Sequence, residues 1–156
     1  MTETQWLDPA EERAWRGYRR MFLLLNARLA RDLTSDSGLS EPDYDVLSTL
    51  SEAGGGQARL SALAERMLWS QSRLSHHIAR MQGRGLVTRG EVESDGRGSV
   101  VVLTLAGTSA LEAAAPGHVA AVRAHLIDRL STQQIAMLGD IAETVVSGLS
   151  EATASG

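Results

Sequence analysis

Residues 59–104 read RLSALAERMLWSQSRLSHHIARMQGRGLVTRGEVESDGRGSVVVLT. Leu60, Leu63, Ala64 and Met67 recur at helical spacing for about two turns. After a short break Ser70 stands as an N-cap, and a second helix over 70–84 turns Leu74, Ile78 and Met81 inward. Gly85 falls at the C′ position, where a positive φ is needed and glycine adopts it at least cost. Two strands come next over 87–93 and 99–103, joined by the small, polar turn Ser94-Asp95-Gly96-Arg97-Gly98. Helix, break, helix, glycine stop and hairpin make a helix-turn-helix with a β-wing.

The outward positions of the second helix carry the chemistry. Ser70, Gln71, Ser72, Arg73, Ser75, His76, His77 and Arg80 are hydrogen-bonding residues with no acid among them. Arginine forks match guanine O6 and N7, glutamine matches adenine, and serine reaches bases or phosphates. A merely solvated helix face would mix opposite charges at i,i+4 spacing. In the hairpin, Gly96 and Gly98 flank Arg97, so the backbone can approach phosphates while the guanidinium enters a minor groove, with Asp95 placed to brace it. The bland alternative there is an ordinary turn with a surface ion pair. Arg84 and Arg89, at the base of the wing, are open to two readings, as phosphate contacts or as solvated side chains.

Working outward, the first residues to about 12 are polar and acidic and read as a loose arm. Over 11–33, Trp15, Tyr18, Phe22, Leu25, Leu29 and Leu33 predict a long amphipathic helix, with a loop after it over 34–38. Ser40 caps the next helix, with Glu41, Pro42 and Asp43 in its first turn, Leu39 stapled to Tyr44, and Val46, Leu47 and Leu50 inward until Gly54-Gly55-Gly56 ends it. Beyond the wing, Thr104 caps a helix over 105–130 with the stripe Leu111, Ala115, Val119, Val122, Leu126 and Leu130. Pro116-Gly117 is expected to kink or interrupt that helix. Ser131-x-x-Gln134 forms a capping box for a last helix with Ile135, Leu138, Ile141, Val145 and Leu149 inward, and the tail from Ser150 is expected to fray.

The fold class is therefore mainly α with a small β-wing, a winged helix-turn-helix set between dimerisation helices. Residues 1–36 supply an arm and a dimerisation helix, 37–103 the DNA-binding region, 104–150 the C-terminal dimerisation helices and 151–156 a flexible tail, all one intertwined domain. The terminal helices carry more apolar stripe than one small core can bury, so an interlocked homodimer is expected. Two such reading helices, held about one DNA turn apart (~34 Å), would match a pseudopalindromic site.

Composition narrows the class. The 156 residues suit one compact domain, and no run of 18 apolar residues is present, so no membrane partner is expected. Glu3, Asp8, Glu11 and Glu12 occupy the region where a signal peptide would be positive and then apolar, which points to the cytoplasm. With 0 cysteines there is no disulfide, thiolate metal site or thiol switch. All 15 basic residues are arginine. The net charge of −4 is unevenly spread. Residues 57–100 hold seven arginines against four acids, and the remainder eight against fifteen. A basic segment in an acidic body suits DNA binding by one face.

The whole chain also resembles the MarR family of winged helix-turn-helix regulators, over roughly residues 12–149. The wing and the start of the next helix, DGRGSVVVLTLAG over 95–107, match the family's D-x-R-x-x-x-V-x-L-T-x-x-G throughout. Arg84-Gly85-Leu86-Val87 matches the family's R-G-L-V/I. Leu63-Ala64 and Ser72-Arg73-Leu74-Ser75 sit where the family places its reading-head helices. The resemblance implies a homodimer, a short inverted repeat in double-stranded DNA, and often release by a small-molecule effector. It makes Arg97 a minor-groove arginine and Ser70 to His77 major-groove contacts. It also implies an effector pocket between the dimerisation helices and the reading head. Trp15, Tyr18, Phe22, Tyr44 and Trp69 are its candidates, and plain core is the alternative for the same aromatics. One departure is Gly96, where many members have arginine, so the wing has one fewer cation.

The expected function is a sequence-specific DNA-binding transcriptional repressor. The competing class is a winged-helix protein–protein interaction module without DNA binding, which would require an exposed apolar patch on the second helix. No catalytic motif, cofactor or metal is expected. His76 and His77, adjacent on a helix, point about 100° apart and make poor joint ligands, and His118 and His125 stand about two turns apart. Protonation of His76 or His77 would add charge near phosphates and make DNA affinity pH-dependent.

Overall fold

The computed structural model describes residues 4–91 and 98–154. Its elements run α1 (Pro9–Ser37), α2 (Glu41–Glu52), β1 (Gln57–Arg59), α3 (Leu60–Met67), α4 (Gln71–Gly83), β2 (Val87–Glu91), β3 (Ser99–Leu103), α5 (Leu105–His125), a 3-10 turn (Ile127–Arg129) and α6 (Thr132–Ala154). Mainly α with a small antiparallel sheet is what the sequence predicts. The sheet order is β1-β3-β2, with Ala58 opposite Val101 and Val87 opposite Leu103.

Two compact units emerge, residues 26–118 and residues 1–25 with 119–156. The 26–118 unit takes in more of α1 and α5 than the segment 37–103 and holds, among the described residues, all the buried apolar side chains. Val46, Leu47 and Leu50 of α2 pack with Leu63 of α3, Leu74, Ile78 and Met81 of α4, and Val87 and Val101 of the sheet. Its joints are capped as the sequence implies. Ser40 and Asp43 form a reciprocal capping box, and Ser70 Oγ accepts from Arg73 N at 3.2 Å. Gly85 has φ +76°. Thr104 Oγ1 donates to the Gly85 and Leu86 carbonyls at 2.6 and 3.0 Å and accepts from Gly107 N at 2.9 Å, tying the wing's root to the first turn of α5.

In the other unit no residue among those described is buried within the single chain. Trp15, Tyr18 and Phe22 stack in a row along α1 with centroids 6.0 and 6.2 Å apart, all about half exposed. Ile135, Ile141, Val145 and Leu149 of α6, expected to face inward, are exposed in the chain by itself. The capping box at its start is present, with Ser131 N donating to Gln134 Oε1 at 2.9 Å and Gln134 N to Ser131 Oγ at 3.2 Å.

Several boundaries differ from expectation for identifiable reasons. α1 begins at Pro9 because Asp8 Oδ1 accepts from Ala10 N and Glu11 N while Glu11 accepts from Asp8 N, a third capping box with proline at N1. It also continues to Ser37, through most of the expected loop; Ser37 Oγ donates to Leu33 O, and Gly38 stops the helix at φ +72°. Pro116 does not interrupt α5, whose neighbours Ala113, Ala114 and Ala115 are strong helix formers. The helix ends at His125 instead, where Leu126 leaves helical geometry (φ −128°, ψ −67°) before the 3-10 turn. α6 runs past Ser150 to Ala154. The short β1 carries no alternating apolar signal, and the sequence reading does not include it.

Candidate nucleic-acid interface

α4 presents Gln71, Ser72, Arg73, His76 and Arg80 to solvent, with the capping Ser70 exposed and Ser75 partly covered. No acid lies on the helix, and its opposite face locks into the core through Leu74, Ile78 and Met81. His77 corrects the sequence reading. It is buried with that inner face, because three residues after Leu74 and four before Met81 places it on the apolar stripe. The spacing is readable; the residue type masks it.

His77 joins a polar cluster inside the head. Asp43, 2% exposed, accepts from Ser40 N at 2.9 Å and from Arg84 Nη1 at 2.6 Å, and Arg84 Nη2 also reaches Gly38 O at 3.3 Å. His77 Nε2 approaches Asp43 Oδ1 to 3.1 Å, obliquely, so that contact is electrostatic rather than a straight hydrogen bond. Its other nitrogen, Nδ1, is 3.1 Å from Arg80 Nη2 and accepts from it when His77 is neutral. Burial alone would raise the Asp43 carboxyl, but the Arg84 and Ser40 hydrogen bonds outweigh it and hold it below its ordinary value. Burial, reinforced by Arg80 and Arg84 against the pull of Asp43, holds the His77 imidazole below its own.

These directions set how stability depends on pH. The unfolded chain takes a proton on His77 near its ordinary 6.5, whereas the folded chain resists doing so. Stability is thus fully present above that value and falls as pH drops toward the depressed folded value. Asp43 adds a second loss at lower pH, below 3.8. The wild type is expected to lose more melting temperature between pH 7.5 and 5.5 than His77→Gln, as read by circular dichroism; equal losses would show that His77 titrates alike in both states.

Both arginines at the base of the wing have protein partners. Arg84 pairs with Asp43. Arg89 donates to Ser75 Oγ at 2.7 Å and Ser99 Oγ at 3.0 Å, tying α4 to the sheet. Arg73 lies over Trp69, its Cζ 3.7 Å from the ring centroid. Asp95 and Arg97 at the wing tip lie outside the described residues. Of the five aromatics considered for an effector pocket, Trp15, Tyr18 and Phe22 form the row on α1, and Tyr44 packs on His118 with centroids 4.6 Å apart. Trp69 borders a hollow of about 400 Å³ that it shares with Asp45, Ser48, Thr49, Glu52, Arg66 and Met67.

A three-stranded sheet, an N-capped α4 with an acid-free outer face and a wing rooted on α5 define a winged helix-turn-helix protein. Residues 37–98 match the family model described as MarR family. The chain is 32% identical over 104 residues to the transcriptional regulator HosA of Escherichia coli O127:H6, spanning 67% of this chain and 73% of HosA. It is 39% identical to AbsC, a MarR family transcriptional regulator from Streptomyces coelicolor, with a TM-score of 0.88 over 95% of this chain and 99% of that one. Sco3205, a MarR family regulator from the same organism solved in complex with DNA, is also 39% identical, with a TM-score of 0.89 over 94% of this chain and 92% of that one. The chain belongs to the MarR family of transcriptional regulators. Among the described residues, no helix is long and apolar enough to cross a membrane.

Proposed function

We propose that the protein is a repressor that binds a pseudopalindromic DNA site as a homodimer, with α4 in the major groove and Arg97 of the wing in the adjacent minor groove. The observation that carries this reading is the outer face of α4, where Gln71, Ser72, Arg73, His76 and Arg80 meet solvent without an acid while the inner face is immobilised in the core. The DNA complex of Sco3205 supports it. Homodimerisation is supported by the unburied apolar side chains of α1 and α6, which would remain in water in a lone chain. Repression and release by a small-molecule effector rest on family membership.

The test is Ile141→Asp combined with Val145→Asp. Both side chains are exposed in the single chain, so the reading head should still fold. The variant is expected to sediment as a monomer and to lose about 10²-fold or more in operator affinity, because linked half-sites multiply affinity by that order. A variant that stays dimeric and binds as tightly as wild type would overturn the assembly.

A further inference from the structure

Arg73 is held in place by an aromatic platform rather than left to wander. Trp69 sits in the turn between α3 and α4, anchored by its backbone N–H to Ala64 O at 2.9 Å and packed in part against the core. One face of its ring carries the Arg73 guanidinium at 3.7 Å. His77 meets the same ring edge-on, with centroids 5.6 Å apart and planes at 80°, and is itself held beside Asp43. The turn is an unusual one: Leu68 adopts left-handed geometry (φ 54°, ψ 37°), a conformation a leucine rarely takes, and this brings the chain round so that Trp69 lies beside the first turn of α4.

A stacked guanidinium uses its face and keeps its in-plane N–H groups directed outward, and those are the groups that guanine O6 and N7 accept from. An arginine already oriented also loses less freedom on binding, by about 2- to 10-fold in affinity for one long side chain. We propose that Trp69 is the positioning residue for Arg73 and that each DNA half-site contains a guanine whose recognition depends on this stack. The proposal rests on the reading of α4 as the DNA-reading helix. Lysine, without a flat face, would not replace Arg73 here.

The test is selection from a duplex pool randomised over 20 base pairs, with sequencing of the bound fraction, using the wild type and the variants Arg73→Ala, Trp69→Phe and Trp69→Leu. Leucine keeps apolar contact with the core and removes the π-face; circular dichroism melts establish that each variant is folded. Wild type and Trp69→Phe should enrich one guanine per half-site by ~10-fold or more, the range of one bidentate base contact. Arg73→Ala and Trp69→Leu should both lose preference at that same position and retain the others. A folded Trp69→Leu that keeps the guanine, or loses preference evenly at every position, would overturn the positioning role while leaving DNA reading by α4 intact. If Arg73→Ala keeps every preference, Arg73 is not the base reader and the proposal falls with it. No enrichment by the wild type would overturn both the stack's role and the DNA-reading function beneath it.

Discussion

Asp43→Ala is expected to lower the unfolding free energy by about 3 kcal/mol, the low end for a broken buried ion pair because Arg84 is nearly half exposed. The loss has three sources. The side chain completes the capping box of α2 through Ser40 N, it is the partner of Arg84, and it faces the His77 imidazole. Without it, Arg84 keeps, among the described residues, its contact to Gly38 O, and His77 faces Arg80 without the Asp43 carboxylate to balance it. Because His77 also packs on Trp69, the damage should reach the reading helix. Urea unfolding of wild type and variant measures the effect; a change below about 0.5 kcal/mol, typical of an inert surface site, would mean the cluster contributes nothing net.

Gly107→Val is expected to be at least as harmful, by about 3 kcal/mol or more, through overpacking against an immovable backbone. Even the Cβ of alanine at this position would overlap the Leu86 carbonyl oxygen and sit 2.9 Å from Leu103 Cδ1. That carbonyl is not free to retreat, since it accepts from Thr104 Oγ1 at 3.0 Å and Thr104 N at 3.3 Å. The substitution would therefore pry the first turn of α5 from the wing's root. For a chain of this size the melting temperature should fall by about 6–12 °C. A variant melting with the wild type would show that α5 can shift without loss.

The L-T-x-x-G motif thus acquires a physical reason, since threonine binds the strand end and glycine permits the approach. The sequence carries the motif and not the contact, because Leu86 and Gly107 meet only once the hairpin has folded. The same division runs through the molecule. The caps at Ser40, Ser70 and Ser131 are local, and their residues are legible. The partners Asp43 and Arg84, 41 positions apart, are brought together only by packing. The residue type of His77 points to the outer face because polar residues are seldom buried, although its spacing from Leu74 and Met81 is that of a core position. The apolar stripe of α6 is readable, and its Ile141, Val145 and Leu149 are exposed in the single chain. Trp69 stands out in the sequence only as an aromatic; that it supports Arg73 depends on the left-handed turn at Leu68, which a leucine does not announce.

Sequence-specific DNA binding is the function on which the roles of α4, Arg73 and Trp69 depend. It is measured most directly by fluorescence anisotropy of the purified protein titrated against the duplex that the selection enriches, with a scrambled duplex beside it, at ~150 mM salt. A sequence-specific reader should prefer the enriched duplex by ~10³-fold or more. Equal binding to both duplexes, or none to either even at low salt, would contradict sequence-specific binding.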